Sequence, residues 1–258
     1  MSGALEGQHA LITGGGSGIG LACAMAFAAD GAVVSLMGRN LEKLETAAGG
    51  FPEGSQVQVY AGDVASSADV ERITQAADGI SPLNIVVANA GTGDIAPLVA
   101  TDDARWQQVL DTNLNGTYLL FKQAARYLSR AGNGAMCAIS SIAGVRTHRF
   151  MHAYCVSKAG IDMLVRTSAD ELGAAGIRVN SVCPGLVDTN LISQSFAVRP
   201  DALDSGIDHQ QPAPDVASGI PPLQVGEQVL DAVREGGFYV ITHDDYRDIL
   251  KMRHDGIL

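Results

Sequence analysis

Basic residues are scarce in this chain: 17 Lys plus Arg stand against 28 Asp plus Glu, a formal net charge of −11. Coating nucleic acid or anionic lipid requires a basic surface to neutralise phosphates, so both partner classes are excluded, although a local basic pocket for one phosphate is not. Cysteine is scarce too. The thiols at Cys23, Cys137, Cys155 and Cys183 form no CxxC pair and have no His at metal-ligand spacing, which predicts free thiols, no metal site and a reducing, cytoplasmic setting. No run of about 18 apolar residues is present, and Met1 to Gly7 has neither a basic nor an apolar leader region, so a soluble, unexported chain is expected. Charged residues make up only 17% and hydrophobic ones 47%, which is the composition of a folded core and not of a disordered segment. With no repeat and no linker, the 258 residues are read as one domain, 1–258.

From residue 8 to about 183, short apolar runs alternate with longer amphipathic segments. Strands are expected at His9 to Thr13, Ala32 to Met37, Gln56 to Ala61, Asn84 to Asn89, Ala135 to Ser140 and Arg178 to Cys183, with a seventh at Phe238 to Thr242. Their nearly continuous apolar character suits strands covered on both faces. Helices are expected near 18–29, 40–49, 67–78, 102–129, 153–174 and 224–235. The fold class that follows is α/β: a Rossmann-like, doubly wound parallel sheet flanked by helices, with its site at the carboxyl ends of the strands. Residues 186–222, rich in Pro, Asp, Ser and Gln and without a strand, read as a lid, binding loop or helical excursion.

The first expected strand runs into Thr13-Gly14-Gly15-Gly16-Ser17-Gly18-Ile19-Gly20 and then an apolar helix. Strand, glycine turn and helix together make a pyrophosphate cradle: the glycines let backbone approach the phosphates, and the helix offers unpaired N–H groups and the positive end of its dipole. Further along stand Asp63-Val64, Ala88-Asn89-Ala90-Gly91, Asn113 within Thr112-Asn113-Leu114-Asn115-Gly116, Ser140-Ser141, Tyr154-Cys155-Val156-Ser157-Lys158, and Pro184-Gly185-Leu186-Val187-Asp188-Thr189. In this order and spacing, over residues 7 to 190, the motifs TGxxxGxG, NAG and YxxxK resemble those of the short-chain dehydrogenase/reductase family. Ala88 departs from the pattern, standing where a second Asn is common.

Tyr154 and Lys158 lie one helical turn apart, with Cβ atoms about 6 Å from each other on one face. A phenol ordinarily titrates near about 10, and an ammonium beside it favours the phenolate, so Tyr154 is the expected general acid in reduction and base in oxidation, tuned by Lys158. The resemblance implies further roles. Lys158 would hold the nicotinamide ribose, Ser141 would donate to the developing oxyanion, and Asn113 would bind a relay water through its backbone. The dinucleotide would be held by Gly14, Ser17, Gly18, Ile19 and Gly20, by Asp63 and Val64, by Asn89, Ala90 and Gly91, and by Pro184, Gly185, Val187 and Thr189. Pairing of the two long helices would give a homodimer or homotetramer.

A preference for NAD usually rests on an acid at the end of the second strand, where it accepts from the ribose and repels a 2′-phosphate. Here that position is Gly38 and Arg39 follows it, so NADP (NADPH) is the expected cofactor, with NAD as the alternative. The reaction expected is hydride transfer between nicotinamide and a small-molecule secondary alcohol or ketone. A redox-neutral enzyme of the same fold, an epimerase or dehydratase, and a non-catalytic dinucleotide sensor stay open as alternatives. His148, His152, Arg146 and Phe150 read as substrate-pocket lining, and Cys155 as a small packing residue. The end of the chain departs from the family pattern, since the last strand leads into a charged segment and not a short glycine-rich tail.

Overall fold

Seven apolar segments form seven parallel strands: β1 (His9–Thr13), β2 (Val33–Gly38), β3 (Val57–Ala61), β4 (Ile85–Ala88), β5 (Gly134–Ile139), β6 (Ile177–Cys183) and β7 (Tyr239–Ile241). The computed structural model describes residues 3–132, 134–197, 215–243 and 248. Strand order is β3-β2-β1-β4-β5-β6-β7, so the direction of winding reverses between β1 and β4. That reversal opens the crevice at the carboxyl ends in which this architecture binds its ligands.

Strand pleating divides the core in two. Ala10 and Ile12 of β1, Ile85 and Val87 of β4, and Ala135 and Cys137 of β5 belong to one hydrophobic cluster; their neighbours Leu11, Val86 and Met136 belong to the other. The first cluster is covered by α1 (Gly18–Ala29), α2 (Leu41–Ala48) and α8 (Pro222–Glu235). A Cβ on Gly226 would lie 2.6 Å from the Ala22 backbone, so α8 seats on α1 only with a glycine there. The second cluster is covered by α3 (Ser67–Ile80), α5 (Gly116–Ala131) and α6 (His152–Leu172). Asn40, Ser66 and Asp102 accept N–H bonds at the starts of α2, α3 and α4 (Asp103–Leu110), each worth about 1 kcal/mol.

The structure corrects the single helix expected over 102–129. It is two helices, α4 and α5, joined by a π-helical turn at Asp111–Asn115. The extra residue per turn rotates Asn113 into the protein, where it is fully buried. Part of the 186–222 excursion is helical, α7 (Asn190–Ala197), and Val187 bridges Ile220 in parallel. Residues 198–214 of it lie outside the described residues, as does the charged C-terminal segment apart from Asp248.

Candidate active site

A cleft of about 970 Å³ runs along the carboxyl ends of the strands. Seventeen of the nineteen expected site residues line it: Gly14, Ser17, Gly18, Ile19, Arg39, Asp63, Val64, Asn89, Ala90, Gly91, Ser141, Tyr154, Lys158, Pro184, Gly185, Val187 and Thr189. Gly20 and Asn113 are not among them. Both are positioned behind the wall they support.

At the dinucleotide end, Gly14 takes φ +65° and its N–H donates to the Met37 carbonyl at 2.8 Å, folding the turn back over β2. Asn89 clamps this turn from the opposite side of the switch point: its Nδ2 donates to the Thr13 carbonyl at 2.9 Å, and its N–H to Thr13 Oγ1 at 3.0 Å. A Cβ on Gly20 would meet Asn89 Nδ2 and, at 2.5 Å, the Gly14 carbonyl oxygen, so this glycine packs directly against the back of the turn. Thr189 reaches the turn from the far side, with Cγ2 3.3 Å from the place of a Gly18 Cβ. A cradle of bare backbone, open at the start of α1, fits a pyrophosphate. Lys43, which the sequence reading missed, lines the same end beside Arg39; its stem passes 3.4 Å from the place of a Gly16 Cβ. Its only sequence signal is its place one turn into α2.

At the chemical end, Ser141 leaves β5 and its Oγ accepts from the Ala143 N–H at 3.1 Å, so its own proton is available to a partner in the cleft. Ser140 turns inward and donates to the Lys158 carbonyl at 3.2 Å. Lys158 is buried, with Nζ donating to the Ile139 carbonyl at 2.7 Å and standing 5.5 Å from the centre of the Tyr154 ring. Burial pushes this lysine down to about 8, against the opposing pull of Asp162. Burial also pushes the Tyr154 phenol up to about 12, with a hydrogen bond from Ser141 working against it. Burial is the leading cause of that rise; the Lys158 ammonium stands over the ring and is tied to Ile139.

Asn113 binds the Thr92 backbone with both side-chain atoms, Oδ1 accepting at 2.8 Å and Nδ2 donating at 2.9 Å. Nδ2 also donates to Ser157 Oγ, which donates to the Tyr154 carbonyl at 2.7 Å. Its own carbonyl accepts from the Thr117 hydroxyl at 2.7 Å. Two buried carboxylates escaped the sequence reading altogether. Asp94 accepts from the backbone N–H of Tyr154, and Asp162 lies one turn beyond Lys158.

Of the four residues expected to line the substrate pocket, His148 and Phe150 do so; Arg146 and His152 do not. Burial and the neighbouring Arg146 lower the His148 pKa, which favours a neutral imidazole. Phe150 is buried at φ +68°, the only non-glycine with positive φ among the described residues, and its carbonyl accepts from the Ala96 N–H at 2.9 Å. Burial raises the Cys155 thiol, in keeping with an inert packing role.

A sequence profile of short chain dehydrogenases matches residues 8–199. The chain belongs to the short-chain dehydrogenase family. Galactitol 2-dehydrogenase (L-tagatose-forming) of Cereibacter sphaeroides is 34% identical over 209 residues, 79% of this chain and 80% of that protein. The crystal structure of a short chain dehydrogenase/reductase from Burkholderia phymatum in complex with NAD superposes with a TM-score of 0.84 at 26% identity, covering 98% of this chain and 95% of that one. The alcohol dehydrogenase of the archaeon Thermococcus sibiricus, complexed with 5-hydroxy-NADP, gives 0.77 at 25% identity, covering 91% and 95%. This short-chain dehydrogenase is an oxidoreductase acting at CH–OH and C=O groups, on an NAD(P)-binding Rossmann fold.

Proposed function

We propose that the protein transfers hydride between NADP(H) and an apolar secondary alcohol or ketone. The observation that carries the cofactor half is the pair Arg39 and Lys43 at the adenosine end of the cleft, with Gly38 in place of an acid at the end of β2. Two cations there favour a 2′-phosphate, and no carboxylate at position 38 repels it. When bound, the nicotinamide supplies the hydride that no side chain can. In ketone reduction Tyr154 gives its phenolic proton to the substrate oxygen and Ser141 donates a hydrogen bond to the same atom. Lys158 spends one N–H on Ile139 and keeps two for ribose hydroxyls. Asn113 offers its remaining carbonyl lone pair to a relay water.

The substrate half rests on the lining around Tyr154: Ile95, Phe150, Met151, Leu191, Ile192 and Phe196. Polyol hydroxyls that face these six side chains would lack partners, at about 1–3 kcal/mol each, while His148, Arg149, Asn190 and Gln194 supply the polar groups of the same cleft. Ser195, nearby, already donates to the Leu191 carbonyl at 2.8 Å. The reading therefore departs from galactitol, the substrate named for the relative from Cereibacter sphaeroides.

The single sheet supports one domain acting as a unit. A homodimer or homotetramer is supported by Tyr118 on α5 and by Val156 and Met163, seven residues apart on α6, all of which are exposed. A cytoplasmic setting is supported by four cysteines that are all free.

The test is a panel of cyclohexanol, cyclohexanone, aryl ketones and galactitol with each cofactor, followed by NADPH absorbance at about 340 nm. Higher kcat/KM for the cyclic and aryl substrates with NADP(H) is the expected result. A preference for NAD or for galactitol defeats the corresponding half. Turnover without absorbance change would favour the redox-neutral alternative.

A further inference from the structure

Asp162 is 7% exposed, on α6, with no role in the chemistry described so far. Its Oδ1 accepts from Ser181 Oγ at 2.8 Å and lies 3.8 Å from Cys183 Sγ, both on β6; its Oδ2 accepts from the Tyr239 hydroxyl on β7 at 2.9 Å. On the other side it faces Gly144, in the turn that begins with Ser141. A Cβ on Gly144 would lie 2.7 Å from Asp162 Oδ2 and 3.0 Å from the Lys158 carbonyl carbon. One carboxylate thus meets the helix of Tyr154 and Lys158, the turn of Ser141 and the last two strands.

We propose that Asp162 is a positioning residue of the active site: its buried carboxylate supplies the counter-charge that keeps Lys158 an ammonium, and its two hydroxyl partners fix α6 against β6 and β7. The proposal rests on the role assigned above to the Lys158 ammonium. A buried lysine loses its proton unless something opposes the loss of hydration. The titratable groups facing Lys158 are Tyr154 and Asp162 from α6, Cys183 from β6 and, beyond Asp162, Tyr239 from β7. The end of β5 and the turn after it present the Ile139 carbonyl and the hydroxyls of Ser140 and Ser141. Burial holds the Cys183 thiol up at about 12 and pushes the Tyr239 phenol higher still, so both stay neutral. That leaves Asp162, whose two oxygens take only donors, as the anion in the group. Its field opposes the downward push that burial exerts on Lys158.

The experiment compares the pH dependence of kcat/KM for ketone reduction with NADPH in the wild type, Asp162→Asn and Tyr239→Phe. In Asp162→Asn the alkaline limb is expected to move about one unit toward acid, tenfold in proton affinity. Tyr239→Phe keeps the carboxylate, so its limb stays in place while its melting temperature falls. A folded Asp162→Asn with an unmoved limb overturns the proposal. A second readout needs no turnover and so separates this proposal from the assigned reaction. Asp162→Asn should lower the melting temperature more in the wild type than in Lys158→Met, because only the former leaves a buried cation unpaired. Equal losses overturn the charge pairing. If Asp162→Asn alone does not fold, the double variant Lys158→Met/Asp162→Asn is expected to fold, and its failure overturns the pairing as well.

Discussion

The carboxylate of Asp94 accepts a hydrogen bond at 3.0 Å from the backbone N–H of Tyr154, 60 residues further along the chain. The loop after β4 therefore caps the helix that carries Tyr154. Its second oxygen is buried without a partner. Asp94→Ala should cost about 1 kcal/mol of stability for the lost cap and lower kcat about tenfold as the start of α6 loosens, with NADPH affinity unchanged. Asp94→Asn keeps an acceptor for Tyr154 and removes a poorly solvated charge, so its melting temperature should match or exceed the wild type. Thermal denaturation and steady-state kinetics on the two variants check this.

Tyr154→Phe removes the proton donor and leaves the apolar ring. Turnover should fall by about 10²- to 10⁴-fold while NADPH affinity, read by fluorescence titration, stays within about twofold. Unchanged turnover would remove Tyr154 from the mechanism.

The two cations at the adenosine end separate by substitution. Arg39→Asp should lower the ratio of kcat/KM for NADPH over NADH by about 100-fold, since it removes a charge-assisted partner and adds a repulsive one. Lys43→Ala, from the first turn of α2, should lower the same ratio by about tenfold. A ratio unmoved by either substitution would assign the 2′-phosphate to other residues.

Lys158 titrates near 8 in the folded protein against an ordinary value of 10.5. Between these values the unfolded chain binds more protons than the native one, so the contribution of Lys158 to stability is present above 10.5 and is lost as pH falls through 8. Raising the pH from about 8 to 10 should therefore raise the melting temperature of the cofactor-free wild type relative to Lys158→Met. In kinetics the same group should set an alkaline limb near about 8 in kcat/KM for ketone reduction, which reports the free enzyme.

Met163 is 64% exposed and Val156 49%, on one stripe of α6. If that stripe joins two copies, Met163→Glu should shift the protein to monomers in light scattering without lowering the melting temperature of the monomer. A variant that keeps the wild-type mass places the interface elsewhere.

Strands with two buried faces announce themselves by unbroken apolar runs, and all seven expected strands appear within one or two residues of their expected ends. The cleft residues were legible because glycine turns and YxxxK act over a few neighbouring positions. What escaped depends on distant apposition. Asp162 reads along the chain as an ordinary polar position of an amphipathic helix; only its partners, 19 and 77 residues away, show it to be buried. Asp94 is hidden for the same reason. The π-turn at 111–115 escaped because one extra residue in a turn leaves the apolar period almost unchanged, and only the demand of Asn113 for the Thr92 backbone calls for it.

Phe150 holds a backbone shape that suits a residue without a side chain, and it does so on the wall of the cleft. Such a geometry costs an L-residue on the order of 1 kcal/mol or more, a debt that glycine does not carry. Replacing this ring with hydrogen would enlarge the chamber while the carbonyl that anchors Ala96 stays where it is. Much of the usual penalty for hollowing a core would be returned as relief of torsion, which makes position 150 the first place to look when coaxing this enzyme to accept bulkier guests.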